Sequence, residues 1–280
     1  MLLNTRELGA EMLLRRITKH VNDQNWFAVG IDLAIVVIGV FIGIQVANWN
    51  DAQSDRRRER LVLQNIANDI RSDLANYESA MEGAYGKITV INYALKSASV
   101  ESDRNLDLFG EIDGVNYEDV VEAFFADRAR EFGAIVETFD GELWGYSVQV
   151  SNVQPSTTAF DSLVSGGELG LLQEDGLVRD LQNYRYLTAG LVKAQVVTFR
   201  PARDRAIDVG IEHGLSPSYG LEKSKFLSLV SESPKIIATL RTSRGWAEAH
   251  LRMLGGAHRS ATLLLERIES KLGVTENDDA

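Results

Sequence analysis

The segment from Trp26 to Trp49 constrains the fold most, because it is long and apolar enough to cross a membrane as one helix. It reads WFAVGIDLAIVVIGVFIGIQVANW, and no polar side chain occurs between Leu33 and Ile44. A transmembrane helix needs about 20 mainly apolar residues, and tryptophans are enriched at both membrane interfaces. The segment therefore predicts a single transmembrane helix. A cleaved signal peptide is disfavoured, because its apolar run is shorter and Gln45 would occupy the −3 position before a cleavage site after Ala47.

Four residues of this segment share one face of the predicted helix: Asp32, Gly39, Gly43 and Val46. Small residues four apart let membrane helices approach closely, and an acid in a membrane segment is costly without a partner. The stripe predicts an interface with another transmembrane helix, from a second copy of the chain or from another membrane protein. The alternative is that glycine is simply frequent in membrane helices, with Asp32, about 9 Å along the helix from Trp26, reaching the headgroups.

A basic cluster follows the apolar segment, made of Arg56, Arg57, Arg58 and Arg60. Such a cluster next to a membrane helix is typical of contact with lipid headgroups. The whole chain carries a net charge of −11. We therefore expect membrane lipid as a partner and no nucleic acid, since no broad basic face is available to meet phosphates.

The rest of the chain has helical periodicity. Apolar residues recur at steps of three and four over about thirty positions: Leu63, Ile66, Ile70, Leu74, Tyr77, Met81, Ala84, Ile88, Ile91 and Leu95. No Pro or Gly separates this stripe from the membrane segment. We predict an all-α protein in which the transmembrane helix continues into a long helix of an extramembrane, coiled-coil-like bundle. The predicted parts are an amphipathic leader at 1–25, the span at 26–49, the bundle at 50–273 and an acidic disordered tail at 274–280.

Local signals predict where the other helices begin and end. We expect a loop at 99–117, a helix at 117–131 and a looser section at 210–220. The aromatic and glycine-rich section at 132–150 is expected to be irregular structure that covers the core, or alternatively a pocket wall. Thr158, with Asp161 three residues later, and Asp175 are predicted helix caps, and Gly166 a helix end. Pro201 is expected to end or kink a helix, and Ser233-Pro234 to begin the last one, which Gly273 ends.

No pattern in the sequence predicts a catalytic or metal site. The chain has no cysteine, no nucleophile elbow, no phosphate-binding loop and no zinc-protease motif. His250 and His258 stand eight residues apart, too far along a helix to share one ion. We therefore expect a protein that is not an enzyme and that uses no cofactor.

Two passages resemble a known family. One is the anchor, from Val36-Val37-Ile38-Gly39 through Gln45-Val46-Ala47-Asn48-Trp49-Asn50, with Asp32 where relatives usually carry glutamate. The other is Ala159-Phe160-Asp161-Ser162-Leu163 through Ser165-Gly166-Gly167-Glu168-Leu169, followed by Leu177-Val178-Arg179-Asp180-Leu181 and Tyr184. Together they are similar to an uncharacterised family of bacterial single-span membrane proteins. The resemblance implies a bacterial inner-membrane location with the C-terminal domain in the periplasm, and it implies no activity.

These observations favour a non-enzymatic interaction or scaffold protein, or an accessory subunit of a membrane complex. The alternative is an extracytoplasmic helical sensor domain that signals through a partner protein. Positive charge does not choose the orientation, because four basic residues precede the span and four follow it closely.

Overall fold

The computed structural model describes residues 26–100 and 128–273, which contain helices and no strand. The predicted leader at 1–25, most of the loop predicted at 99–117, most of the helix predicted at 117–131 and the tail at 274–280 lie outside the described residues. The α-helices are α1 Trp26–Ser97, α2 Arg128–Thr138, α3 Leu143–Val148, α4 Thr158–Ser165, α5 Asp175–Ala194, α6 Arg200–Glu212, α7 Lys223–Glu232 and α8 Pro234–Leu272. A 3₁₀ turn occupies Glu168–Leu171 and a π-helical turn Gln195–Phe199.

The chain divides into two compact units, Met1–Arg58 and Glu59–Ala280, and α1 runs through the boundary. The described part of the first unit is the apolar beginning of α1. This helix is long and apolar enough to cross a membrane, and none of its most apolar window, of mean hydropathy 2.4, is buried. The predicted continuation of an apolar N-terminal helix into a helical bundle is confirmed.

The second unit is built around the later part of α1 together with α5 and α8. Every apolar residue of the predicted stripe is buried except Leu74, which is half-buried. Arg71 donates to Glu269 at 2.6 Å, and Arg244 donates to Asn92 at 2.9 Å, so α8 runs antiparallel to α1. The hydrophobic effect of this continuous buried face accounts for the long helices, since helix propensity contributes little beside tertiary packing.

Two hydrophobic clusters fill the bundle. One joins the middle of α1 to α4, α5 and the second half of α8. The other joins the end of α1 to α2, α3, α6, α7 and the first half of α8. Buried polar side chains occur in more than one part of the bundle, among them Asp73, Lys87 and His250.

The predicted irregular section at 132–150 is wrong in part, because α2 and α3 occupy much of it. Leu143 and Trp144 of α3 are buried, whereas Tyr146 of the same helix is 40% exposed. The looser section predicted at 210–220 is shifted by two or three residues and lies at 213–222. Helix α6 extends to Glu212 and α7 begins at Lys223, leaving a connection with Gly214 at φ +76°.

The predicted caps have mixed outcomes. Ser233 is confirmed, since its hydroxyl accepts from the Ile236 amide at 3.3 Å with proline following it. Gly166 and Gly273 end their helices as predicted. Thr158 and Asp175 are wrong as caps because both lie inside the first turn, and the preceding residues make no side-chain capping bond.

Carboxylates of α1 bind the backbone of the segment that leads into α4. Asp73 accepts from the Ser156 amide at 2.6 Å, and Asp69 accepts from the Ala159 amide at 3.0 Å. Free amides at a helix N-terminus need acceptors, and here another helix supplies one to the first turn of α4. The physical signal for this capping was therefore not local in sequence.

Candidate functional site

The residues of the predicted membrane interface lie exposed on the first part of α1. Asp32, Gly39, Gly43 and Val46 are all helical, so their placement on one face follows from the helix geometry. A Cβ added at Gly39 or Gly43 would meet no atom within 4 Å. The structure thus brings these residues onto one open face and gives the glycine pair no packing partner within the described part of the chain.

The four arginines expected at lipid headgroups have different surroundings. Arg56 and Arg57 are exposed on α1, and Arg58 lies 3.9 Å from Asp55 in an exposed ion pair. Arg60, in the second unit, donates to the Leu272 carbonyl oxygen at 3.2 Å and so interacts with a free carbonyl at the end of α8.

A buried polar network lies where α1 meets α5. Tyr184 donates to Asp73 at 2.7 Å, and the hydroxyls of Tyr77 and Tyr184 lie 3.0 Å apart. Asp73 is fully buried. Burial raises the pKa of Asp73, while the hydrogen bonds from Tyr184 and Ser156 lower it in part; burial also raises the pKa of both tyrosines. Each of these groups has a hydrogen-bond partner, so the network serves to fix α1, α5 and the connecting segment together.

A second polar region forms a small cavity of about 20 Å³. Helix α1 contributes Lys87, α6 contributes Arg203 and α8 contributes His250. The other lining residues are Ala84, Gln149, Val150, Ser151, Phe199, Ala202, Ser243, Trp246 and Ala247. Lys87 is 6% exposed and His250 is 4% exposed, so two ionisable groups are almost fully removed from solvent.

The π-helical turn Gln195–Phe199 shapes this cavity. The Arg200 amide donates to the Gln195 carbonyl, five residues back. Pro201 has no amide hydrogen for a regular α-helical bond, which explains why the wider turn occurs just before it. The predicted kink at Pro201 therefore takes the form of a π turn. It buries Phe199, whose ring centroid lies 4.7 Å from that of His250.

Gln195 fixes the backbone beside the segment that contributes Gln149 and Ser151 to the cavity. Its side-chain oxygen accepts from the Val153 amide at 2.7 Å, and its side-chain nitrogen donates to the Val153 carbonyl at 3.1 Å. Ser151 packs so closely on α1 that a Cβ at Gly83 would overlap its hydroxyl. The segment that carries Gln149 and Ser151 is thus fixed against the bundle by short-range contacts.

The ionisable residues that line the cavity, Lys87, Arg203 and His250, are all basic, and Arg203 is paired with Asp204 beside it. Burial and the charge of Arg203 lower the pKa of Lys87 to about 8, and burial and the charge of Lys87 lower the pKa of His250 to about 4. Among the described residues that line the cavity, none is acidic. His250 Nε2 is buried without a hydrogen-bond partner in the described part of the chain. At neutral pH, His250 is therefore uncharged while Lys87 is mostly protonated.

Sequence reasoning missed this cavity, although a signal was present. Lys87 stands three residues after Ala84 and four before Ile91, which is a position on the apolar stripe itself. His250 occupies the same kind of position between Ala247 and Leu254 in α8. A charged residue at a buried position of an apolar stripe indicates that the protein interior contains a polar group, which needs a hydrogen-bond partner or a counter-charge.

The described residues contain no group of three or more acidic or histidine side chains that could hold a metal ion. Ser233 Oγ lies 3.0 Å from His213 Nε2, and the same hydroxyl accepts from the Ile236 amide as the cap of α8. The polar cavity presents hydrogen-bond donors and basic side chains.

Comparison with known proteins gives one match. Residues 32–117 match the model of a family of unknown function, DUF6090. The match includes the anchor passage and the long helical stripe, and it confirms the expected likeness to an uncharacterised family. The second passage, around residues 159–184, lies outside the matched residues. No curated protein and no solved structure matches the chain.

Proposed function

We propose that the chain is a single-span membrane protein of the bacterial inner membrane that acts as an interaction or accessory subunit. The observation that carries this proposal is the open face of α1, where Gly39 and Gly43 have no atom within 4 Å of an added Cβ. Close approach of a second helix is the main use of small residues at this spacing in a membrane. Asp32 on the same face gains a partner in such a complex and has none in the described part of the single chain.

The first partner to test is a second copy of the chain. A pair of small residues four apart is self-complementary, so two identical helices can meet through the same face around a two-fold axis. Another membrane protein is the alternative partner. The two cases differ in whether purified protein in lipid nanodiscs or micelles crosslinks to itself.

Substitution of the face residues tests the interface sharply. Gly39→Leu and Gly43→Leu add bulk where the single chain has room, so loss of crosslinking reports on a partner and not on misfolding. Gly30→Leu is the matched control, because Gly30 also has no atom near an added Cβ and lies on the opposite side of the helix from Gly39. Equal crosslinking in native membranes for all three variants and for Asp32→Leu would refute the interface.

We propose that the bundle faces the periplasm. The absence of cysteine is compatible with that oxidising compartment, and the resemblance to single-span relatives favours it. A topology reporter fused after Ala280 tests the orientation. Activity of a periplasm-dependent reporter supports the proposal, and activity of a cytoplasm-dependent reporter contradicts it.

A sensor is the second candidate function. The specific observation in its favour is the small cavity with Lys87 and His250 inside the bundle. Because α1 runs from the bundle into the apolar segment, a ligand that shifts the bundle has a continuous helix through which to act. Such a sensor passes its signal to a membrane partner, so it needs the same interface. A ligand that changes crosslinking of the anchor would favour the sensor over a constitutive subunit.

A further inference from the structure

A protonated lysine inside a protein needs a counter-charge or hydrogen-bond acceptors, because desolvation of an ammonium is costly. Asp73, the buried acid of the neighbouring network, receives bonds from Tyr184 and Ser156 and illustrates how this chain satisfies such a group internally. Lys87 differs. Neither an acidic side chain nor a hydrogen-bond acceptor is paired with its ammonium in the part of the chain that the structure describes.

The groups around Lys87 are also cationic or able to donate hydrogen bonds. Arg203 supplies a guanidinium from α6, and its Nε and Nη2 donate to Asp204 at 3.0 and 2.7 Å, which leaves Nη1 for a ligand. Ser151 and Ser243 line the cavity with hydroxyls, and His250 lines it with a ring whose Nε2 has no partner among the described residues. These groups come from four separate parts of the chain, so the arrangement is a product of the tertiary fold.

The size of the cavity restricts what it can hold. A volume of about 20 Å³ exceeds what one water-sized particle needs and is far below what a drug-sized ligand needs. Lys87 and His250 form its buried side, whereas Arg203 is 35% exposed and lies nearer the surface. A compact charged ligand fits a cavity whose solvent exposure decreases from the partly exposed Arg203 to the buried Lys87.

We propose that the cavity bounded by Lys87, Arg203, Ser151, Ser243 and His250 is a binding site for a compact monovalent anion of the size of chloride or formate. The anion neutralises the buried ammonium and accepts from the serine hydroxyls, and from His250 in the tautomer that carries hydrogen on Nε2. This site lies within the bundle and does not depend on the proposed role of the membrane anchor.

The test uses the full-length protein in detergent micelles at pH 7, with sodium gluconate exchanged stepwise for sodium chloride at constant ionic strength. Gluconate is too large for the cavity. We expect the melting temperature to rise by a few degrees with chloride, as mass action requires of a ligand that binds the folded state. Lys87→Met should lose this response, whereas Lys193→Met, at an exposed lysine of α5, should keep it.

A direct measurement keeps the test valid if Lys87→Met fails to fold. Chloride exchanging with a protein site broadens its ³⁵Cl magnetic resonance line, and formate should reverse this broadening in the wild-type protein. A stronger response to formate than to chloride assigns a carboxylate-type ligand to the same site. A wild-type protein with equal melting temperatures in chloride and gluconate and no line broadening would overturn the proposal, as would a folded Lys87→Met protein with the wild-type response.

Discussion

Replacement of Lys87 by Met tests the electrostatic cost of the buried ammonium. The two side chains have similar length and flexibility, so the substitution removes the charge and preserves most of the packing. Burial and the charge of Arg203 lower the pKa of Lys87 from an ordinary value of 10.5 to about 8. That difference corresponds to roughly 3 kcal/mol of folding free energy, since each pKa unit is worth about 1.36 kcal/mol.

The pH dependence follows from where protons bind. Between about pH 8 and pH 10.5 the unfolded chain keeps the Lys87 proton and the folded chain loses it. The unfolded state thus binds more protons in this window, and the contribution of Lys87 to stability rises with pH. Below pH 8 the full cost is present, and above pH 10.5 it is absent. We expect Lys87→Met to be more stable than wild type by up to roughly 3 kcal/mol at pH 7, with the gap closing toward pH 10.5.

Urea unfolding of the full-length protein in micelles, in gluconate buffer at pH 7, 8, 9 and 10, measures this gap. Tryptophan fluorescence is a suitable signal because Trp246 lines the cavity and Trp144 is buried in the bundle. Lys193→Met is the control, and its difference from wild type should not vary with pH in this way. A gap between wild type and Lys87→Met that stays constant from pH 7 to pH 10 would refute the assigned burial of the charge.

Two further predictions concern packing and the polar network. Tyr184→Phe should lower the free energy of unfolding by about 1–3 kcal/mol, because it removes a donor from a buried carboxylate, and chemical denaturation measures the loss. A smaller effect than an exposed Tyr186→Phe control would contradict the network. Gly210→Ala should lower the free energy of unfolding by about 1–3 kcal/mol, since its Cβ would overlap the buried Trp144 ring. The control Gly190→Ala, with open space in α5, should be neutral or stabilising by up to about 1 kcal/mol. Thermal melts that rank the two variants in the opposite order would contradict this packing.

The sequence predicted the helical class and the long α1 because their signals are periodic and local. Ten apolar residues at helical spacing identify a buried face without any knowledge of what covers it. Local chemistry also predicted the start of α8 at Ser233, where the cap and the following proline act within one turn. The same kind of reasoning failed at Thr158, because the acceptor for the first turn of α4 is Asp69 of another helix.

The candidate cavity was not predictable in the same way, since its members come from residues far apart in sequence. The predicted apolar stripe of α1 runs through Leu74 and Ile88, although Asp73 and Lys87 occupy equally good helical positions. Hydrophobic periodicity cannot choose between neighbours that both point near the core. The structure makes the choice, with Asp73 fully buried and Leu74 only partly so.

The two charged residues on the stripe, Asp73 and Lys87, differ in role: Asp73 is structural, and Lys87 belongs to the proposed binding site. Asp73 has lost its water but has gained Tyr184 and a backbone amide, so the fold itself satisfies it. Lys87 is only 6% exposed and shares its cavity with a second cation, Arg203, and with an unpartnered histidine nitrogen. A buried charge that the described part of the fold does not satisfy persists only if its cost is accepted or if something outside the chain offsets it. In gluconate, the difference in free energy of unfolding between Lys87→Met and wild type at pH 7 measures that cost. A smaller difference in chloride would show that an anion offsets it.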